Sequence, residues 1–166
     1  METVFFQTIE CHTYGSLPKV GSQAPEFHLT GLDLSDVNLE LYAGKRVVLN
    51  IFPSLDTEVC ALSVRRFNQE AAAMDNTVVV CASMDLPFAM GRFCAANGIE
   101  NVVAASAFRS PMFGQNYGVE LVDGPLKGLL TRAVVIIDEK STVIYRDLVE
   151  QITNEPDYEA ALKVLK

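Results

Sequence analysis

Hydrophobic and polar positions alternate between two periods along this chain. The run Val47–Phe52, in "GKRVVLNIFPS", reads as a buried central strand ended by Pro53. From Thr57 to about Ala73 the spacing turns helical. Val59, Leu62, Phe67 and the alanines form an apolar face, and Arg65, Arg66, Asn68 and Gln69 largely occupy the other. Thr57 is placed as the N-cap. "NTVVVCASMD" is a second buried strand. "LPFAMGRFCAANG" is a short helix with Pro87 near its start and Gly98 past its end. "NVVAAS" is a third strand, and "SPMFGQNYG" a short helical or turn segment.

The ends of the chain complete the pattern. "TVFFQT" and "CHTYG" pair as a small hairpin, and "GSQAPEFHLTGLDLSDVNL" is broken by Gly, Pro, Asp and Ser, with short strand-like pieces at its end. "GLLTRAVVIIDEKSTVIYRDLV" reads as a second hairpin, with strands from about Leu130 to Ile137 and Thr142 to Val149 around a turn at Asp138 to Lys140. "EPDYEAALKVLK" is a C-terminal helix with Pro156 at its first turn. The order is strand, helix, strand, helix, strand, hairpin, helix. It predicts an α/β domain with a mixed sheet and helices on both faces, of thioredoxin-like architecture with an N-terminal β-hairpin. Fold alone does not give function.

Composition narrows the classes. The 166 residues favour one domain, 1–166, and 49% apolar residues are enough for a substantial core. A net charge of −8 repels phosphate backbones, which argues against nucleic acid as a partner. No apolar stretch reaches the roughly 18 residues of a membrane span, and the N-terminus lacks the basic and apolar regions of a secretory signal. The expected compartment is the cytoplasm. The four cysteines (Cys11, Cys60, Cys81 and Cys94) contain no C-x-x-C, and with two histidines the usual zinc patterns are missing, so no metal is expected.

Cys60 sits in the first turn of the helix that follows the central strand. Helix N-termini present unpaired N–H groups and a positive dipole end, which favour a thiolate over a thiol. A thiolate is the species that attacks a peroxide oxygen. The Thr57 hydroxyl lies three positions back, within reach of the sulfur or of an approaching oxygen, and Pro53 covers one side if the loop folds over it. Each residue alone has a plainer reading: a buried core cysteine, a helix cap, a strand stop. The triple P-x-x-x-T-x-x-C at a strand-to-helix junction is far more specific than its parts.

That motif resembles the active-site signature of the peroxiredoxins. The stretches "AGKRVVLNIFPSLDTEVCALSVRRFN", "DLPFAMGRFC", "NGIENVV", "YGVELVDGPLKGLLTRAVVIIDE" and "EPDYEAALKVLK" resemble one subfamily, the bacterial thiol peroxidases, which are atypical two-cysteine peroxiredoxins. They span most of the chain, from about Pro18 to its end. The resemblance implies that Cys60 is the peroxidatic cysteine, that Thr57 and Pro53 are its pocket neighbours, and that the Arg132 guanidinium faces the thiolate and the peroxide. It makes Cys94 the resolving cysteine. It further implies thioredoxin as reductant, a homodimer, alkyl or lipid hydroperoxides and hydrogen peroxide as substrates, and no cofactor.

Cys60 and Cys94 fall on different helices, whereas a disulfide needs Cα atoms within roughly 7 Å. The expectation is a separated reduced pair and local unwinding of one or both segments. Gly91 weakens the Cys94 helix, unless it is there for close packing against a neighbour. Leu55, Leu86, Phe88 and Met90 are read as an apolar rim for organic hydroperoxides, or alternatively as core. Cys81 reads as an inert buried thiol, Cys11 as an incidental surface thiol, and Arg109 as a structural residue near the Cys94 helix. A thiol–disulfide exchanger is disfavoured, because Thr57 stands where its second cysteine belongs. A redox sensor using the same Cys60–Cys94 pair is the alternative to a peroxidase.

Overall fold

The computed structural model describes residues 1–166. Nine strands form in chain order: β1 (Thr3–Phe6), β2 (Ile9–His12), β3 (His28–Gly31), β4 (Asp36–Asn38), β5 (Arg46–Ile51), β6 (Thr77–Ser83), β7 (Val103–Ser106), β8 (Ala133–Ile137) and β9 (Val143–Leu148). Four helices join them: α1 (Glu58–Ala71), α2 (Pro87–Asn97), α3 (Pro111–Asn116) and α4 (Tyr158–Val164). β1 and β2 pair as the N-terminal hairpin, and the other seven strands form one sheet in the order β4-β3-β7-β6-β5-β8-β9. β5, β6 and β7 run parallel, while β8 pairs antiparallel with β5. This is the thioredoxin-like mixed sheet that the element order predicts.

The alternation of side chains along β5 divides the core in two. Val47, Leu49 and Ile51 point to one face, where Phe27, Phe113 of α3 and Tyr117 pack. Val48 belongs to the other, with Val64 and Phe67 of α1, Met90 of α2, and Tyr158 and Ala161 of α4. Phe67 meets Tyr158 edge-on, with ring centroids 5.4 Å apart. Cys60, Cys81 and Cys94 all lie in this second layer.

A third, small cluster holds the hairpin to the body of the molecule. Val4 and Cys11 pack on Leu121 and Ile152. The Phe5 N–H donates to the Glu150 carbonyl, and the Ile152 N–H donates back to Phe5. Cys11 is therefore fully buried, which corrects its reading as a surface thiol. Gly124, at φ +75°, passes so close that a Cβ there would sit 2.6 Å from the Cys11 sulfur.

Several other expectations shift. Leu62 is exposed, and Cys60, Ala61, Ser63, Val64 and Phe67 form the buried stripe of α1 instead. The helix starts so that a serine, rather than Leu62, faces the sheet. Pro156 precedes the last helix, whose N-cap is Asp157, with its carboxylate accepting from the Ala160 N–H. The strands of the second hairpin are shorter than the apolar runs that mark them, starting at Ala133 and Val143.

Gly118, after α3, has φ +65°, and a Cβ there would lie 2.2 Å from the backbone of Ser16. Backbone cannot move aside as a side-chain tip can, and the left-handed conformation adds strain. Gly118→Ala is expected to destabilise the protein by more than about 1 kcal/mol in urea unfolding. An unchanged midpoint would show that the Ser16 segment is free to give way.

Candidate active site

β5 ends at Ile51, and the chain crosses Pro53 and a turn before α1 begins. Thr57 occupies the N-cap with extended backbone, but its side chain makes no cap bond. Its hydroxyl donates instead to the Ser54 carbonyl at 2.9 Å. Its proton is thereby engaged, its oxygen remains an acceptor, and the Cys60 sulfur is not its partner. Cys60 follows in the first helical turn and is fully buried. Ser63 donates its hydroxyl to the Cys60 carbonyl at 2.8 Å, and Asn50 donates its side-chain amide to Ser63 at 3.2 Å.

Arg132 reaches the sulfur from the strand side. It stands one residue before β8, is 2% exposed, and spans two contacts with one guanidinium. Its Nε donates to the Ile152 carbonyl at 2.7 Å, and its Nη2 to the Cys60 Sγ at 3.2 Å. Its Nη1 is buried with no partner. A buried guanidinium with a free N–H is costly unless an acceptor arrives, which marks the place where a polar ligand fits.

A cleft of about 320 Å³ opens over this group, and Pro53, Thr57 and Arg132 line it. The opposite wall is apolar, with Phe6 from the hairpin and Leu126, Leu129 and Ile152 from the segments it packs on. None of the four residues expected at the rim lines it. Leu55 and Met90 are buried in the core, and Leu86 and Phe88 are exposed around a separate shallow depression with Ala89 and Arg92. The helical phase explains this. Pro87, Met90 and Cys94 are the buried positions of α2, which turns Phe88 outward. The largest cleft, about 560 Å³, is lined by charged residues such as Arg46, Glu70 and Lys166 and contains no cysteine.

A titratable pair ties the end of β2 to the 121–124 segment. His12 uses its backbone N–H and its ring Nδ1 on the two Asp123 carboxylate oxygens, both at 2.7 Å. The bond to Asp123 raises the His12 pKa from its ordinary value, and the same bond lowers that of Asp123.

Cys94 lies in the second half of α2 and is nearly buried. All four cysteines are free thiols. Burial raises the pKa of Cys94, and burial pushes that of Cys81 up to about 12 despite the Asn50 contact, so its neutral thiol is favoured. The Cys94 carbonyl receives the N–H groups of Gly98 and Ile99 that close the helix, with Gly98 left-handed. Arg109 does not touch this helix: its guanidinium donates to Thr30 and to the Leu34 carbonyl, bracing the β3–β4 turn.

A family model described as Redoxin matches residues 19–162. The chain belongs to the redoxin family. It is 53% identical to a protein named thiol peroxidase from Corynebacterium glutamicum over 165 residues, 99% of each chain. It is 56% identical to a thiol peroxidase of Mycobacterium bovis over 154 residues, 93% of this chain and 92% of the other. A crystal structure of a peroxiredoxin-like protein from Aquifex aeolicus matches with a TM-score of 0.90 at 40% identity, over 98% of this chain and 95% of that one. A thiol peroxidase from Chromobacterium violaceum, 22% identical over 98% of this chain and 94% of its own, shares the fold with a TM-score of 0.90. This redoxin thus has a peroxiredoxin fold.

The sequence does not reveal the cleft wall, nor Asp85, whose carboxylate accepts from Ser54, Leu55 and Ser83. The wall residues are apolar positions far apart in the chain, with no local signal. Asp85 is a lone acidic residue between a strand and a Pro-initiated helix, and only its contacts reveal it.

A Cβ at Gly91 would meet nothing within 4 Å, which removes close packing as its reason. Gly91→Ala is expected to stabilise the reduced protein by about 0.5–1 kcal/mol in denaturant unfolding. A loss of stability would show that the site closes on a neighbour.

Proposed function

We propose that this redoxin is a thiol-dependent peroxidase that reduces alkyl or lipid hydroperoxides and hydrogen peroxide to alcohols or water. The observation that carries the reading is the Arg132 Nη2 contact with Cys60 Sγ beneath a half-apolar cleft, beside an Arg132 Nη1 without a partner. The cleft suits a hydroperoxide with an organic chain. Its polar floor takes the O–O group, and Phe6, Leu126 and Leu129 take the chain.

In this reading the Cys60 thiolate attacks the terminal peroxide oxygen. The S–O bond forms as the O–O bond breaks, giving a cysteine sulfenic acid and, with one proton, an alcohol or water. Arg132 stabilises negative charge on the departing oxygen, and its fixed fork does so without reorganising. Thr57, with its own proton engaged by Ser54, accepts the peroxide O–H. Pro53 closes the side of the cleft against water.

The Cys94 thiol then condenses with the sulfenic acid, forming the disulfide and releasing water. The two residues sit on separate helices, so one or both segments unwind. The Gly91 position and the glycine-ended α2 favour movement there. A dithiol, thioredoxin in this family, reduces the disulfide by exchange. No cofactor takes part. The chain 1–166 acts as one domain, and a homodimer in the cytoplasm is the expected assembly. No helix is long and apolar enough to cross a membrane.

The test is hydroperoxide consumption coupled to thioredoxin, thioredoxin reductase and NADPH. Cys60→Ser is expected to abolish turnover. Cys94→Ser is expected to oxidise once and recycle poorly. Full activity in Cys60→Ser would overturn the mechanism.

A further inference from the structure

We infer that Asp85 is a positioning residue that ties the Cys60 loop to the start of the Cys94 helix, so that both segments are held, and released, together. The inference rests on the Cys60–Cys94 reading above. Asp85 lies between the end of β6 and Leu86, the N-cap of α2 whose carbonyl accepts the first helical N–H, from Met90. Its carboxylate reaches across to the other segment. Oδ1 accepts the Ser54 hydroxyl at 2.7 Å, and Oδ2 accepts the Leu55 N–H at 2.8 Å.

Ser54 passes the constraint on. Its hydroxyl oxygen accepts the Asp56 N–H, and its carbonyl accepts both the hydroxyl and the N–H of Thr57. Thr57 is the residue from which α1 starts. One carboxylate therefore sets the loop geometry, the Thr57 hydroxyl and the entry of the helix that carries Cys60. On its own side Asp85 is braced by the sheet. Ser83 donates to Oδ2, the Asp85 N–H donates back to Ser83 Oγ at 3.2 Å, and Ser106 of β7 donates to the Asp85 carbonyl.

Three donors on one carboxylate make a strong anchor, because hydrogen bonds to a charged acceptor are roughly twice as strong as neutral ones. The anchor has opposite effects on two steps. It favours peroxide attack by holding the cleft in shape. It opposes disulfide formation, because unwinding the Cys60 turn or the α2 start pulls on the same carboxylate. The time the sulfenic acid spends before Cys94 arrives is the time in which a second peroxide can oxidise it to the sulfinic acid, transferring one more oxygen to sulfur and releasing another alcohol. Asp85 thereby sets the balance between efficient attack and over-oxidation.

The experiment compares wild type, Asp85→Ala, Asp85→Asn and Ser54→Ala as full chains. Backbone hydrogen exchange of the reduced proteins is read over residues 53–60 and 86–97. In Asp85→Ala, exchange is expected to rise in both segments. Cys60 oxidation by cumene hydroperoxide, followed by alkylation and mass spectrometry, is expected to slow by about tenfold or more. The ratio of sulfinic acid to disulfide at excess peroxide is expected to fall. Asp85→Asn, which keeps one acceptor oxygen, and Ser54→Ala, which loses one donor, are expected to lie between wild type and Asp85→Ala, and they decide the matter if the alanine variant does not fold. Faster exchange in one segment only, or an unchanged sulfinic-to-disulfide ratio, would overturn the tie. Wild type that consumes no hydroperoxide would overturn the peroxidase reading instead, with the exchange pattern still deciding whether Asp85 couples the two segments.

Discussion

The contact between Arg132 and Cys60 is the constraint around which this molecule is organised. A guanidinium cannot lose its charge, and at 2% exposure it has given up almost all its water. It is left with one carbonyl, one sulfur and an Nη1 amino group with no partner. Such a cation is tolerable only where an anion and a further acceptor complete it. The Cys60 sulfur is one such partner, and the cleft leaves room for another.

Each neighbouring element serves that contact. β8 delivers Arg132 next to β5, and the loop after β5 delivers Cys60 in the first turn of α1. The hairpin matters although it lies outside the main sheet. Its Phe5 carbonyl takes the Ile152 N–H, and the Ile152 carbonyl takes the Arg132 Nε. The orientation of the guanidinium is thus tied by backbone bonds to a strand near the start of the chain. On the far side, Asp85 holds Ser54 and Leu55, and through Ser54 it holds Thr57. In the proposed mechanism this frame is rigid during attack and opens for resolution. In that mechanism the weak point is α2, which has no side-chain cap at its start and a glycine, Gly91, in its middle.

The elements were legible because their signals are local. The apolar runs of β5 and β6, the proline starts of α2 and α3, and Gly98 as a left-handed cap all act over a few residues. The cysteine motif was legible for the same reason, since Pro53, Thr57 and Cys60 fit within one turn and its approach. Arg132 came only from resemblance: 72 positions separate it from Cys60 in the chain, and nothing in its own neighbourhood distinguishes it from a surface strand arginine. The apolar wall of the cleft is illegible for a related reason. Phe88 and Met90 lie within the Cys94 helix, but the helical phase sends one outward and the other into the core, while the wall of the cleft assembles from residues 6, 126, 129 and 152 through tertiary packing.

Arg132→Lys tests the fork of Arg132 most directly. Lysine keeps the positive charge, but a single ammonium cannot reproduce the planar pair of contacts to Ile152 and the sulfur. The quantity to measure is the second-order rate constant for Cys60 oxidation by cumene hydroperoxide in a single turnover, quenched by alkylation and read by mass spectrometry, with circular dichroism confirming the fold. A loss of roughly 100-fold or more is the predicted result. A rate within about twofold of wild type would contradict the claim that this guanidinium holds the transition state.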